Sequence, residues 1–202
     1  MKSARDVILT VAMKLFAEKG YAGCSIREIC QAAGVTKPVL YYHFRSKENL
    51  YQELMMEIFS QTQRNLRRLA SFRGSLRERL VLYVSSELQN CRRDPNNIRF
   101  LFRMMFSTEG KSPFFNYVAE FKRERKAIAD VIKKTDPGAC ASDPQLISTA
   151  LMGLMLIVIL EYVFTGRRTL TRRNAEKLVD LLLSSPELHD QSIPSGKVRG
   201  KC

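Results

Sequence analysis

Histidine is scarce in this 202-residue chain, which has only His43 and His189, far apart. The five cysteines, Cys24, Cys30, Cys91, Cys140 and Cys202, are odd in number and scattered, and no two form a C-x-x-C pair. These shortages argue against a zinc cluster and a disulfide framework, and they predict a reducing, cytoplasmic setting. The sequence has no G-x-x-x-x-G-K phosphate loop, no metal-ligand spacing and no nucleophile–base arrangement. We therefore expect no enzyme, no metal and no cofactor. Strand alternation, internal repeats and long low-complexity tracts are also missing. The N-terminus is charged at Lys2, Arg5 and Asp6 and shows no signal-peptide core. The most apolar run, Ala150 to Leu160 (ALMGLMLIVIL), falls short of the about 18 to 20 residues that cross a bilayer, and Glu161 interrupts it. The expectation is a buried helix and no membrane partner.

Positive charge is abundant. Lysine and arginine total 33 against 20 aspartates and glutamates, a formal net charge of +13. That excess suits nucleic acid, an anionic membrane surface or an acidic protein, and it also suits a merely solubilising surface. Residues 1–50 hold eight Lys and Arg against four Asp and Glu. Most of the excess therefore lies further along, in Arg64, Arg67 and Arg68, in the 122–126 cluster (KRERK), and in Arg167, Arg168, Arg172 and Arg173.

The apolar pattern is helical almost throughout. Ile8, Ala12, Leu15 and Phe16 recur at helical spacing, with Ser3 and Asp6 as a cap and Gly20 as a stop. Ser25 to Glu28 (SIRE) fits a capping box, and Gly34 ends that short helix. Thr36 is the expected N-cap of a third helix, roughly Lys37 to Phe44, with Pro38 in its first turn. Ser46 caps a long fourth helix through Leu50, Leu54 and Ile58. Ser75 to Glu78 (SLRE) is a second capping box. Residues 94–97 (DPNN) read as a loop, and 136–138 (DPG) as a turn. Asp143-Pro144 starts a helix that Gly166 ends, and Thr171 caps a last one to about Leu183. The expected fold is all-α with about nine helices, and beyond Ser185 the chain should form a frayed, flexible tail.

Three short helices with a tight glycine turn between the second and third form a helix-turn-helix. In that motif the later helix enters the DNA major groove. The stretch 34–50, GVTKPVLYYHFRSKENL, has the chemistry for it. Leu40 and Phe44, four apart, form an inward face. Lys37, Pro38, Val39, Tyr41, Tyr42 and His43 remain for base edges, thymine methyls and phosphates. Tyr42 also reads as a core ring, and Arg27 as a solvated helix residue. Lys47 can donate to the DNA backbone.

Residues 8 to 50 resemble the DNA-binding domain of the tetracycline-repressor (TetR) family. The carrying segments are 15–21 (LFAEKGY), 25–29 (SIREI), 32–36 (AAGVT), 40–44 (LYYHF) and 47–50 (KENL). By motif position the resemblance assigns DNA contact to Arg27, Thr36, Lys37, Pro38, Val39, Tyr41, Tyr42, His43 and Lys47. It implies a homodimer on a two-fold symmetric operator, and a C-terminal domain that binds a small ligand. Residues 1–46 would be the DNA-binding domain, 47–185 the ligand-binding and dimerisation domain, and 186–202 the tail.

The helix from Asp143 to Thr165 is apolar nearly all round and must be covered on every side. A second copy of the chain can cover one side by a four-helix interface, and burial within a monomer is the other solution. Leu151, Met155, Val158, Tyr162, Leu178 and Leu182 are the interface candidates. Large soft side chains crowd the middle of the chain. Met55, Phe59, Phe102, Met105, Phe106, Phe114, Tyr117 and Phe121 are candidates for an adaptable cavity. Arg99 and Arg103 could steer an anionic ligand if they face inward. Together these features predict a ligand-responsive transcriptional regulator, most simply a repressor that an unknown small effector releases from DNA. The competing reading is a basic scaffold whose helix-turn-helix serves a partner other than DNA.

Overall fold

The computed structural model describes residues 3–106, 113–135 and 143–184. The 136–138 turn, the tail, His189, Cys140 and Cys202 lie outside the described residues. Among those described, the chain forms helices α1 (Ala4–Lys19), α2 (Ile26–Ala33), α3 (Lys37–Phe44), α4 (Lys47–Ser71), α5 (Leu76–Arg93), α6 (Pro95–Met105), α7 (Tyr117–Thr135), α8 (Pro144–Thr165) and α9 (Arg172–Leu183), with no strand.

The ends follow the capping logic of the sequence. Ser3, Ser25 and Ser75 each close a reciprocal capping box, with Asp6, Glu28 and Glu78. Ser46, Asp143 and Thr171 also cap through their side chains. Thr36 occupies the N-cap of α3, but its hydroxyl makes no cap hydrogen bond. One expectation is overturned. Residues 94–97 are not a loop but the start of α6, with Asp94 as cap and Pro95 in the first turn. Proline has no N–H to lose there, so the same residues that read as a turn serve as a helix start.

Two apolar cores organise the helices. The first gathers Ile8 and Phe16 of α1, Ile29 of α2, Leu40 and Phe44 of α3, and Leu50, Leu54 and Met55 of α4, each at most 2 % exposed. Each such side chain stabilises the fold by roughly 1.5 to 3 kcal/mol relative to an exposed one. Phe100 of α6 completes this core, stacked 6.0 Å from Phe16 and edge-on to Tyr51. Side chains on both sides of residue 46 thus share one core. The second core joins the far half of α4 to α5, α7, α8 and α9 through Leu66, Leu80, Val84, Ile128, Ile132, Leu151 and Val179. Helices α4 and α6 contribute to both cores, because α6 sends Phe100 and Met104 one way and Ile98 the other.

Helix α8 is longer than its apolar run. It has 22 residues, and its most apolar 18-residue stretch has a mean hydropathy of 2.2, enough by length and composition to cross a membrane. Glu161 interrupts the apolar run, but the helix carries that residue and continues to Thr165, where Gly166 ends it as the sequence suggests. Ile147, Leu151, Met155 and Ile159, spaced by four, pack into the second core. The opposite side, including Ile157 and Phe164, is exposed.

Candidate nucleic-acid interface and effector cavity

Helix α2 turns into α3 at Gly34, whose φ of 65° and ψ of 29° are left-handed. Its N–H bonds back to the carbonyls of Cys30 and Gln31. The Val35 N–H donates to the Cys30 carbonyl at 3.0 Å, which closes the turn. A glycine fits because a Cβ is strained at that φ. A bridge from Lys19 Nζ to Glu28 Oε1 at 2.7 Å ties α1 to α2. Glu28 also accepts from the Ser25 amide and hydroxyl. With Lys19 as the main cause, its carboxyl is pulled down to about 2.

Helix α3 is anchored by Leu40 and Phe44, which are buried, and it turns its other side chains outward. Tyr42 is 84 % exposed, Tyr41 45 % and Val39 37 %. Thr36, Lys37 and Pro38 are exposed at the N-terminal end of the helix. His43 is half-buried, its ring edge-on to Tyr42 at 5.1 Å. Arg27 is exposed near the start of α2. The core reading of Tyr42 therefore gives way to a surface ring. Three rings and a lysine are held out from one short helix by two buried anchors.

Lys47 has a different environment. Its Nζ donates to the Tyr21 carbonyl and lies 4.2 Å from the centre of the Tyr21 ring. Burial lowers its pKa. Here the ammonium clamps the loop after α1 onto the start of α4. Sequence reading missed Arg5, which pairs with Glu53 and lies over the Phe44 ring at 5.6 Å. No local motif signals that contact, since the partners are 48 residues apart. Cys24 and Cys30 are buried, and burial pushes the Cys24 thiol up, away from the reactive thiolate.

A cavity of about 450 Å³ opens among α4, α5, α6, α7 and α8. Phe59, Phe102, Met105, Phe106 and Phe121 line it, as their sequence neighbourhood suggested. Met55 does not, being fully buried in the first core. Phe114 points out, 82 % exposed, and the Tyr117 hydroxyl is held by Tyr51 at 3.0 Å. Arg99 and Arg103 are exposed and stand outside the lining.

The cavity also holds residues that sequence reading passed over, chiefly Glu87 of α5 and Glu124 of α7. Asn65 Nδ2 donates to Glu87 Oε1 at 2.8 Å, and the Tyr83 hydroxyl donates to Glu124 Oε1 at 2.6 Å. Burial raises Glu87 to about 7 against the pull of Asn65, and the Glu124 charge adds to the rise. Burial likewise raises Glu124. Cys91 lies on the same wall, its thiol pushed up to about 12 by burial. Spacing offered a signal. Phe121, Glu124 and Ile128 recur at three and four residues, so Glu124 falls on the inward face of α7.

Of the six interface candidates, Leu151 and Met155 are buried in the chain's own core. Val158, Tyr162, Leu178 and Leu182 are half-buried against it. The exposed apolar side chains of these two helices are Phe164 at 80 %, Ile157 at 63 %, Leu181 at 58 %, Leu146 at 54 % and Leu156 at 41 %.

Comparison with known proteins places this geometry. A family model described as bacterial regulatory proteins, tetR family, matches residues 8–54. The HTH-type transcriptional activator FasR of Mycolicibacterium smegmatis is 27 % identical over 153 residues, 74 % of this chain and 68 % of that one. The HTH-type transcriptional regulator AcrR of Shigella flexneri is 42 % identical over 53 residues, 26 % of this chain. That match spans only 25 % of AcrR. The HTH-type transcriptional repressor KstR2 of M. smegmatis is 36 % identical over 55 residues, 27 % of each chain. Among solved structures, the TetR family transcriptional regulator PfmR of Thermus thermophilus superposes with a TM-score of 0.72 at 23 % identity, over 89 % of this chain and 98 % of that one. The ketosteroid transcriptional regulator KstR2 of Mycobacterium tuberculosis gives 0.71 at 20 %, over 91 % and 95 %. At those identities the likeness concerns the fold.

Proposed function

We propose that this protein, which its helix-turn-helix makes a member of the tetR family of bacterial regulatory proteins, is a cytoplasmic homodimeric repressor that a small ligand releases from its operator. The observation that carries the reading is the division of labour on α3. Leu40 and Phe44 are buried while Tyr41 and Tyr42 are exposed, so the helix is a rigid stem with a hydrogen-bonding outer face. Tyrosine hydroxyls and the His43 ring suit phosphates, which set register. Lys37, Pro38 and Val39 at the leading end suit base edges. Arg27 and Thr36 flank that face. Lys47 contributes mainly by fixing the start of α4, and it reaches phosphate only by releasing the Tyr21 carbonyl.

Two copies joined through α8 and α9 would present two α3 helices about 34 Å apart, one turn of DNA. A ligand in the cavity pushes on α4 and α6, which line it and also pack into the DNA-binding core. A preference of about 1 to 3 kcal/mol for the splayed form is enough for a switch. The relatives include an activator and a repressor by name, so the sign of control belongs to a promoter-reporter assay.

The test is fluorescence anisotropy on DNA from upstream of the protein's own gene, at several salt concentrations, with scrambled DNA as control. Tight binding to the native sequence is expected, and Tyr41→Ala and Tyr42→Ala should weaken it without changing the unfolding midpoint. Equal, weak binding to both DNAs would remove the site-specific reading.

A further inference from the structure

The cavity wall is mostly apolar and aromatic, yet its charged lining is one-sided. Glu57, Glu87, Asp94 and Glu124 face it against a single basic residue, Arg93. In a chain of net charge +13 that is the reverse of the bulk composition. Two of the acids are accounted for. Glu57 pairs with Arg64, and Asp94 caps α6. Glu87 and Glu124 are not. Among the described residues no Lys, Arg or His comes within 4.0 Å of either carboxylate. Their partners are neutral: Asn65 and Thr62 for Glu87, Tyr83 for Glu124. On the same wall Asn90 keeps its side-chain nitrogen buried with no hydrogen-bond partner. An uncompensated carboxylate in an apolar enclosure is unfavourable unless something supplies the opposite charge.

We propose that the cavity binds a lipophilic organic cation, whose charge Glu87 and Glu124 hold and whose body the Phe59, Phe102 and Phe121 rings enclose. The rings add attraction of their own, since a cation is drawn to an aromatic face. The unpaired Asn90 nitrogen is a donor for a ligand oxygen. The volume suits a drug-sized molecule. A carboxylate or phosphate ligand meets two acids there, with no Lys, Arg or His within 4.0 Å of either among the described residues, so the site selects against anionic effectors. This deepens the regulator reading. It rests on that reading for what binding does to DNA, and on the cavity alone for binding itself.

The experiment is calorimetry on the full chain with three probes of similar shape: tetraphenylphosphonium, neutral triphenylphosphine oxide and anionic triphenylacetate. The phosphonium should bind once per chain and more tightly than the other two. Glu124→Gln and the double variant Glu87→Gln/Glu124→Gln should weaken it by roughly tenfold to a hundredfold, the range of a lost charged partner. Melting at or above the wild-type temperature shows that the variants are folded, since they remove an uncompensated charge. Triphenylacetate binding as tightly as the phosphonium would overturn the proposal, as would phosphonium binding that the double variant leaves unchanged. Operator anisotropy is read separately. Phosphonium that binds through the two glutamates yet leaves DNA affinity untouched supports the cation site and sinks the effector role. Operator binding with no phosphonium binding sinks the cation site and leaves the DNA-binding reading standing.

Discussion

Glu87 is a half-buried acid with no cation within 4.0 Å among the described residues, and its titration follows from that. It titrates near 4.5 in the unfolded chain and near 7 in the fold. Below 4.5 both states hold the proton and the group costs nothing. Between about 4.5 and 7 the unfolded chain releases its proton while the fold retains it, so stability falls as pH rises. Above 7 the full penalty is present. The groups around it do not reverse the sign. Glu124 is itself raised, and Tyr83 and Cys91 stay neutral through this range. Glu87→Gln should therefore match the wild type at pH 4 and be more stable by about 1 to 3 kcal/mol at pH 8 in urea denaturation. Equal stability at pH 8 would mean that the carboxylate is well solvated. At this scale legibility was uneven. Leu40 and Phe44 announced themselves by spacing. Glu87 did not, because an acid on an amphipathic helix ordinarily faces water, and even Glu124, whose spacing puts it on the inward face of α7, is enclosed only once α4, α5 and α7 pack together. The turn of Lys47 toward the Tyr21 carbonyl was equally hidden, since its partner is a backbone atom 26 residues away.

The helix ends were the most legible features of the elements, because a cap is a local contract between a side chain and amides three residues on. Ser25 and Glu28, or Ser75 and Glu78, need no tertiary partner to be recognised. The start at Pro95 was missed because Asp-Pro-Asn-Asn fits a turn and a first helical turn equally well, and packing of Ile98 and Phe100 decides between them. The turn at Gly34 lends itself to a clean measurement. A Cβ built there meets no atom within 4 Å, so the cost of Gly34→Ala is conformational, not steric. We expect a loss of about 1 to 2 kcal/mol in denaturant unfolding, the penalty for an ordinary residue held left-handed. A loss well beyond that would show that the backbone shifts to escape the strain and drags α3 with it. Operator affinity of the folded variant would then drop as well.

Two faces of the whole molecule are organised differently from the rest, and they bear on assembly. The outer side of α3 is polar and aromatic. The outer side of α8 is apolar, with Leu146, Ile157 and Phe164 exposed, whereas on α9 Leu181 is exposed beside Arg172, Arg173, Lys177 and Asp180. An all-round apolar helix was visible in the sequence, but which side its own core would take was not, because that depends on where α7 and α9 lie. The fold takes the 147–151–155–159 stripe, so Leu151 and Met155 are already occupied. Exposed apolar patches of this kind mark an interface or a liability to aggregate. If a second copy covers the patch, Ile157→Glu with Phe164→Glu should convert a particle of twice the 23.2 kDa chain mass into one of that mass in sedimentation. Both side chains are exposed in the monomer, so its own core should survive, and helical content by circular dichroism should be unchanged. Binding to a full palindrome should weaken strongly in that variant while binding to a half-site stays the same. The coupling between two reading heads would be gone while each head is intact. A double variant that remains dimeric would place the interface elsewhere, and a new surface for the second copy would have to be found.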